Sequence, residues 1–383
     1  GSFPPQSQGI QGYCGELARA LGHRCHVHGL GFRAMYPHFL FPGVADPMDY
    51  TNTPPTAPGL IVEHRLAWYN PIGWLFDAAN IQADIFHVQW WSLPLAPVCL
   101  TMAGIMKARG KRIVVTVHNI LPHEGHGLFV WATRLVCGLA DAVIVHGQKN
   151  IETFRRTYPS VKAPLHAVPI GIYDHMSKPI KREDARRKLD IADHAKVTLL
   201  FGTIRPYKGL DVLLNAFARV VQEMPDAILL VAGKSWTDWE PYARQIHELG
   251  LEENIRLHLD YVPADETAYY FAATDLTVLP YVYFDAQSAV AAHNLAFGKP
   301  MLVSNSGGLP EMAGNDPAWI VPAGNASALA DRITDFFKHR VEQANAYEAV
   351  LGKVRDALSW NRIARLHMDI YQGKMVKRPR KNT

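Results

Sequence analysis

Phe201-Gly202-Thr203-Ile204-Arg205-Pro206-Tyr207-Lys208-Gly209 is the stretch whose reading decides the fold. The apolar run Val197 to Phe201 feeds into it, and an amphipathic segment, Leu210 to Val221, leaves it. The order is strand, tight glycine turn, helix, with two cations on the turn. Backbone N–H groups at a helix start carry partial positive charge and attract phosphate. Arg205 adds a planar fork and Lys208 a point charge. The turn reads as a clamp for a diphosphate, or as an ordinary strand–helix turn with two solvated cations. It is not a P-loop, because no G-x-x-x-x-G-K-[ST] occurs in the chain.

At 383 residues the chain is too long for one typical core and predicts two domains. Hydrophobic residues make up 48% and charged residues 19%, which excludes bulk disorder. A formal charge of +4 is too small, and too dispersed, for a nucleic-acid binder. The basic tail from Lys374 to Lys381 reads as a solvated terminus or a contact to an anionic membrane surface. Cys14, Cys25, Cys99 and Cys137 show neither metal-type spacing nor a disulfide framework, so they read as reduced thiols of a cytoplasmic protein. No apolar run reaches the length of a membrane span, and no H-E-x-x-H or Asp-x-Asp occurs. No metal and no cofactor is expected.

Outward from the turn, strands and helices alternate on both sides, the pattern of doubly wound parallel sheets. Ahead of it, Gly9 leads into a helix, Tyr13 to Leu21, and a short strand, Arg24 to Leu30. The strand that should precede such a glycine loop is missing: either the start has been trimmed, with Gly1-Ser2 as a cloning scar, or the sheet lacks its central strand. Residues 31–60 read as a long irregular connection. Strands are then predicted at Leu60–Arg65, Ile85–Trp91, Arg112–His118 and Ala142–His146, with helices at about Pro71–Gln82, Leu95–Arg109 and Leu128–Ala140. A last strand and linker follow within Ala163–Tyr173, and a charged helix, Lys181–Leu189, opens the second half. There the strands are Val197–Phe201, Ala227–Ala232, Ile255–Tyr261, Leu276–Leu279 and Pro300–Ser304. The divisions expected are 1–175, 176–358, and a terminal helix with basic tail, 359–383, crossing back to the first domain.

Ligands of such sheets sit beyond the carboxyl ends of the strands. His118 ends one strand there, and Glu124 stands six residues on as a base or as the start of the next helix. Tyr283-Phe284-Asp285-Ala286-Gln287-Ser288-Ala289-Val290 runs into a helix whose N-cap is Asp285, Gln287 or Ser288 and whose first amides face the ligand.

Taken with Gly298-Lys299-Pro300 and Gly307-Gly308-Leu309-Pro310-Glu311, these segments resemble the glycosyltransferases of the GT-B fold, an α/β architecture of two Rossmann-like domains facing across a cleft. The likeness is greatest to the large retaining family 4, and the segment from His118 to Glu124, with that from Ile204 to Gly209, resembles a bacterial subset that builds exopolysaccharides and related glycans. The resemblance implies a nucleotide-sugar donor, UDP- or GDP-linked, and a glycan or polyprenyl-linked glycan acceptor, at the cytoplasmic face of a membrane. Lys208 matches the family lysine on the donor diphosphate. Thr203 stands where the family has an arginine, and Arg205 takes its place. His118 matches a histidine that reaches the donor sugar, and Gly9 the loop glycine beside the phosphate. Tyr261 and Val262 fall where backbone contacts the base; Gly233, Gln287, Ser288 and Ala289 complete the donor set. The family's Glu-x7-Glu becomes Asp285 and His293: the carboxylate for the sugar hydroxyls is kept, one methylene shorter, and the anion toward the ribose is lost.

If configuration is retained, the phosphate itself takes the acceptor proton; if it is inverted, Glu124 or His118 is the base. An inverting mannosyltransferase-like enzyme, a nucleotide-sugar 2-epimerase and a non-catalytic partner subunit are the competing readings on the same fold. Trp68, Trp74, Trp90 and Trp91, with Lys107, Arg109, Lys111 and Arg112, are read as an interfacial patch or as core and solvated face.

Overall fold

The computed structural model describes residues 1–5, 10–36, 55–121, 126–173, 179–284 and 286–374. It divides into two units, one of residues 1–171 with 358–383 and the other of residues 172–357.

The first unit runs α1 (Gln11–Gly22), β1 (Val27–Ala34), β2 (Leu60–Ala67), α2 (Pro71–Asn80), β3 (Ile85–Trp90), α3 (Ala96–Ala108), β4 (Arg112–Val117), α4 (His126–Gly138), β5 (Ala142–Val145), α5 (Gln148–Thr157) and β6 (Leu165–Ala167). All strands are parallel, but they form two sheets, β1-β2 and β3-β4-β5-β6. Buried on both faces, β5 is apolar without alternation and β4 nearly so, as helix-covered parallel strands must be. At the head of α2, Asn70 Oδ1 accepts from Gly73 N at 3.1 Å and Pro71 takes the first turn, where its missing N–H costs nothing. The strand expected at Arg24–Leu30 lies later, at Val27–Ala34, because its pairing with β2 starts at Val27–Leu60 and continues past Leu30.

The second unit holds α6 (Arg182–Lys188), β7 (Lys196–Phe201), α7 (Leu210–Glu223), β8 (Ala227–Ala232), α8 (Glu240–Glu248), β9 (Ile255–His258), α9 (Thr267–Ala273), β10 (Leu276–Leu279), α10 (Ala289–Phe297), β11 (Met301–Ser304), α11 (Leu309–Met312), β12 (Ile320–Val321), α12 (Ala326–Lys338) and α13 (Arg340–Ala357). Its parallel sheet has the order β12-β11-β10-β7-β8-β9. The chain winds outward from β7 in one direction and from β10 in the other, so the topological switch point falls between these two strands. Open α/β sheets bind ligands at such a crevice. On α7, Leu210, Leu213, Leu214, Phe217 and Val220 form one buried stripe at helical spacing, which fixes the helix behind the turn that precedes it. At the far end of β10, buried Asp275 receives Arg182 at 2.9 Å and Arg186 and Arg340 at 3.0 Å each, tying α6 and α13 to the sheet. The last helix, α14 (Trp360–Tyr371), belongs to the first unit, where it packs on α1.

Candidate functional site

In the second unit the clamp turn leaves the carboxyl end of β7 at the switch point. Gly202 N donates to Ala232 O at 2.8 Å and Gly233 N to His258 O at 2.8 Å, so β7 stays paired with β8, and β8 with β9, to their ends. Both glycines have positive φ, +88° and +137°, and a Cβ on Gly233 would stand 2.5 Å from the Gly202 carbonyl oxygen. Only glycine lets these backbones touch. Gly209, at φ +70°, starts α7, and a Cβ there would meet the Pro280 carbonyl oxygen at 2.2 Å. The turn is thereby pressed against the end of β10, and Val282 N donates to Tyr207 O at 2.9 Å.

This packing carries Lys208 inward. Its side chain is buried and its Nζ stands 5.6 Å from the centre of the Tyr281 ring. A Cβ placed on Gly202 would be 3.2 Å from that Nζ and 3.0 Å from Val290 on the first turn of α10. Lys208 thus lies beside the amino end of a helix, both of one electrostatic sign. Burial, and secondarily the Arg205 charge, push its pKa down to about 7. A cation with no anion beside it among the described residues, in a place already positive, is arranged for an anionic ligand. Arg205 lies with its guanidinium 4.8 Å from the centre of the Trp236 ring, and Trp236 N donates to Ile204 O at 3.1 Å. Trp236 is half exposed, so Arg205 rests on its face at the rim.

At the end of β10 the N-cap of α10 is Ser288, whose Oγ accepts from Ala291 N at 3.4 Å and lies 3.2 Å from the Tyr281 hydroxyl. Gln287 is buried and its amide donates to Glu311 at 3.1 Å. Gly308 admits that side chain, since a Cβ there would be 2.7 Å from Gln287 Cγ. His293 sits on α10 with its ring 4.7 Å from that of Tyr173. Tyr261 and Val262 follow β9, the tyrosine exposed and the valine half-buried. Lys208, Gly202, Gly233, Ser288 and Ala289 therefore gather around the ends of β7, β8 and β10. Gly9, Glu124 and Asp285 lie outside the described residues.

His118, in the first unit, follows β4 directly and is buried in a polar chain. His146 Nδ1 faces the Val168 carbonyl at 3.1 Å, so it carries the proton and donates. Burial lowers the pKa of His146 to about 4 and that of His118 and His87 well below the usual range, with neighbouring histidines adding to the effect. A neutral His146 presents a bare Nε2, and His118 Nδ1–H donates to it at 2.9 Å. His118 Nε2 is then an acceptor, 2.8 Å from the Gln89 side-chain amide. The Gln89 NH2 must therefore occupy the position drawn as Oε1, a half-turn of the amide. Its oxygen then accepts from His87 Nε2–H, which lies 3.3 Å away and also within 2.7 Å of Thr116 Oγ1. Tyr371 OH closes the chain by donating to His87 Nδ1 at 2.7 Å. Every ring nitrogen of His87, His118 and His146 has a partner with no charge in the chain, and both nitrogens of His118 are engaged.

Trp236, Tyr281, His146 and Gln89 are the site residues that sequence reasoning missed. No motif marks them: they meet the turn or His118 only through strand pairing. The tryptophan patch does not form, because Trp74, Trp90 and Trp91 are buried; Trp90 donates to Thr133 Oγ1 at 2.8 Å and Trp74 to the Ala67 carbonyl at 2.8 Å. The exposed apolar residues of this region are instead Tyr69, Ile72, Leu75 and Phe76, at or on α2, and Leu128, Trp131 and Leu135 on α4.

Residues 7–174 match the family model described as Glycosyltransferase Family 4, and residues 181–350 match that of Glycosyl transferases group 1. A D-inositol 3-phosphate glycosyltransferase of Streptosporangium roseum is 24% identical over 306 residues, covering 76% of this chain and 70% of the relative. Among solved structures, sucrose-phosphate synthase from Thermosynechococcus elongatus superposes with a TM-score of 0.72 at 19% identity, over 96% of this chain and 93% of that one. Anabaena Alr3699/HepE in complex with UDP and glucose gives 0.70 at 15% identity, over 97% and 98%. No helix among the described residues is long and apolar enough to cross a membrane.

Proposed function

The chain is a glycosyltransferase of GT-B type, with a family 4 domain ahead of a group 1 domain, and on that premise we propose that it moves a sugar from a nucleotide-diphospho-sugar to a hydroxyl of a glycan or lipid-linked glycan. The observation that carries this reading is the buried Lys208 at the switch point, beside the first turn of α10 and with Arg205 three residues ahead of it on the same turn. Negative charge builds on the diphosphate as the sugar leaves. Lys208, Arg205 and the amides of residues 287–289 stabilise it, and fixed charges that need not reorganise are the most effective form of such help. UDP is the preferred nucleotide, a reading supported by the UDP and glucose held by the Anabaena protein on the same fold.

The sugar is transferred with retention and without a metal. The acceptor hydroxyl attacks from the leaving-group side, and a phosphate oxygen takes its proton. His118 contributes as a neutral, oriented imidazole rather than as a strong base, since both its nitrogens are engaged. A lipid-linked acceptor is supported by the exposed Ile72, Leu75 and Phe76, three apolar residues on one face of α2, an arrangement suited to a bilayer surface.

Incubation with UDP-, GDP- and ADP-sugars and a panel of glycan acceptors tests the reading, with the anomeric configuration read by NMR. Transfer from a UDP-sugar with the anomeric configuration kept is expected. Release of an epimerised sugar nucleotide without acceptor, or binding without turnover on every acceptor, would overturn it.

A further inference from the structure

Buried cations are ordinarily paired with a carboxylate, because desolvating a charge alone is costly. Lys208 is buried, yet among the described residues it meets a π face instead: its Nζ lies over the ring of Tyr281, 5.6 Å from the centre. Tyr281 stands two residues beyond β10 and is itself buried. A carboxylate in that place would saturate the ammonium, and an incoming phosphate would have to displace it. A phenol ring attracts the cation only weakly and adds no charge. Burial also pushes the pKa of the Tyr281 hydroxyl up, so no phenolate forms to compete. The lysine is held in place without being neutralised.

The far end of the same side chain reaches α10. The Tyr281 hydroxyl lies 3.2 Å from Ser288 Oγ, the cap that accepts from Ala291 N. A phenylalanine would fill the same core space; what the hydroxyl adds is this contact. Main chain and ring fix the residue on its other sides. Its carbonyl accepts from Ser304 Oγ at 2.6 Å, at the end of β11. Its ring packs edge-on against Tyr207, on the clamp turn, at 5.7 Å and against Phe284 at 5.1 Å. One side chain therefore touches the lysine, the turn that carries it and the cap of the helix beside it.

We propose that Tyr281 is a positioning residue of the phosphate site: its ring seats the Lys208 ammonium while the site is empty, and its hydroxyl holds the Ser288 cap, so that lysine and helix amides meet a diphosphate as one unit. The inference rests on the donor reading given above. When a diphosphate arrives, the lysine exchanges a weak attraction to the ring for a strong one to a phosphate oxygen, with little rearrangement. The helix amides stay where the cap has set them, and such prior ordering is what makes fixed charges effective.

Two mutant cycles test this by calorimetry at pH 8, with the tighter binding of UDP and GDP as the probe. One combines Tyr281→Leu with Lys208→Met, the other Tyr281→Phe with Ser288→Ala. Tyr281→Leu should weaken binding roughly ten-fold in the wild-type chain and less than about two-fold in Lys208→Met. Tyr281→Phe should weaken it roughly three-fold, with nothing further lost in Ser288→Ala. Proton uptake on binding should persist in Tyr281→Phe, which keeps the ring, and fall in Tyr281→Leu, where the released lysine is hydrated and already charged. Additive losses with uptake unchanged overturn the proposal, since a tyrosine that only fills the core would give them. If Tyr281→Leu does not fold, the cycle of Tyr281→Phe and Ser288→Ala decides alone, and additivity there overturns it. Wild-type affinity in Lys208→Met would sink the donor reading and this inference together; weakened affinity in Lys208→Met with additive cycles sinks this inference only.

Discussion

His146 Nε2 lies 2.9 Å from His118 Nδ1, and because His146 Nδ1 is engaged by the Val168 carbonyl, the proton between the two rings belongs to His118. His146 thus sets which tautomer His118 presents at the end of β4. Replacing His146 by Ala should lower kcat roughly ten-fold, the worth of one buried hydrogen bond, with KM changed less than about two-fold. His146→Gln, whose side-chain oxygen can accept, should recover part of the loss. Equal losses in both variants would mean that His146 only fills space.

The same chain of histidines makes stability fall in mild acid. Burial holds His146 and His367 at about 4 and pushes His87 and His118 well below the usual imidazole range. Below the unfolded value near 6.5 the unfolded chain binds protons that the folded chain refuses, so folding free energy falls with pH. Each group contributes about 1.4 kcal/mol per pH unit through the window from 6.5 down to its folded value. Chemical denaturation at pH 7, 6 and 5 should show a slope of several protons. A stability that stays level across that window would contradict four buried neutral imidazoles.

Lys208 gives a ligand-linked signal instead. Free, it titrates near 7; with a diphosphate against it, its ammonium is strongly favoured. Nucleoside diphosphate binding at pH 8 should therefore take up about one proton, and the uptake should fade toward pH 6, where the lysine is already charged. Calorimetry in buffers of different ionisation enthalpy measures this. Lys208→Met should abolish the uptake and lower turnover by roughly 10² or more. Normal proton uptake in Lys208→Met would place the phosphate elsewhere.

The strands nearest the site were legible because they are buried on both faces: Val197–Phe201, broken only by the buried Thr198, and Ala227–Ala232 are apolar runs that each end at a glycine. The cation pair and the amino end of α10 could likewise be read from local sequence, since turn, cap and charge lie within a few residues. What could not be read is what pairing brings together. Trp236 meets Arg205 because the segments after β7 and β8 continue side by side, through the bridge of Ile204 and Ser235, beyond the strands themselves. Trp90 and Trp91 carry no local sign of facing inward; pairing with β4 decides it for one and packing against α3 for the other. Periodicity cannot report a neighbour thirty residues away.

On α2, Ile72 is 77% and Phe76 60% exposed, four residues apart and hence on one face. Ile72→Ser with Phe76→Ser removes apolar area without touching the core or the clamp. Co-sedimentation with anionic vesicles should fall several-fold while turnover on a soluble acceptor stays within about two-fold. Unchanged sedimentation would remove α2 as the surface that meets a membrane.

Arg205 and Trp236 provide the remaining test. With Trp236 45% exposed, the guanidinium–indole contact at 4.8 Å belongs at the weak end of its range, about 0.5–1 kcal/mol, or two- to five-fold in kcat/KM. Trp236→Leu should show that loss and Trp236→Phe a smaller one, because a phenyl face still attracts the cation. If the tryptophan acts by holding Arg205 over the phosphate, Trp236→Leu should cost nothing further in an Arg205→Ala background. Additive losses would instead mean that Trp236 meets the donor itself, and that Arg205 is placed by the turn alone.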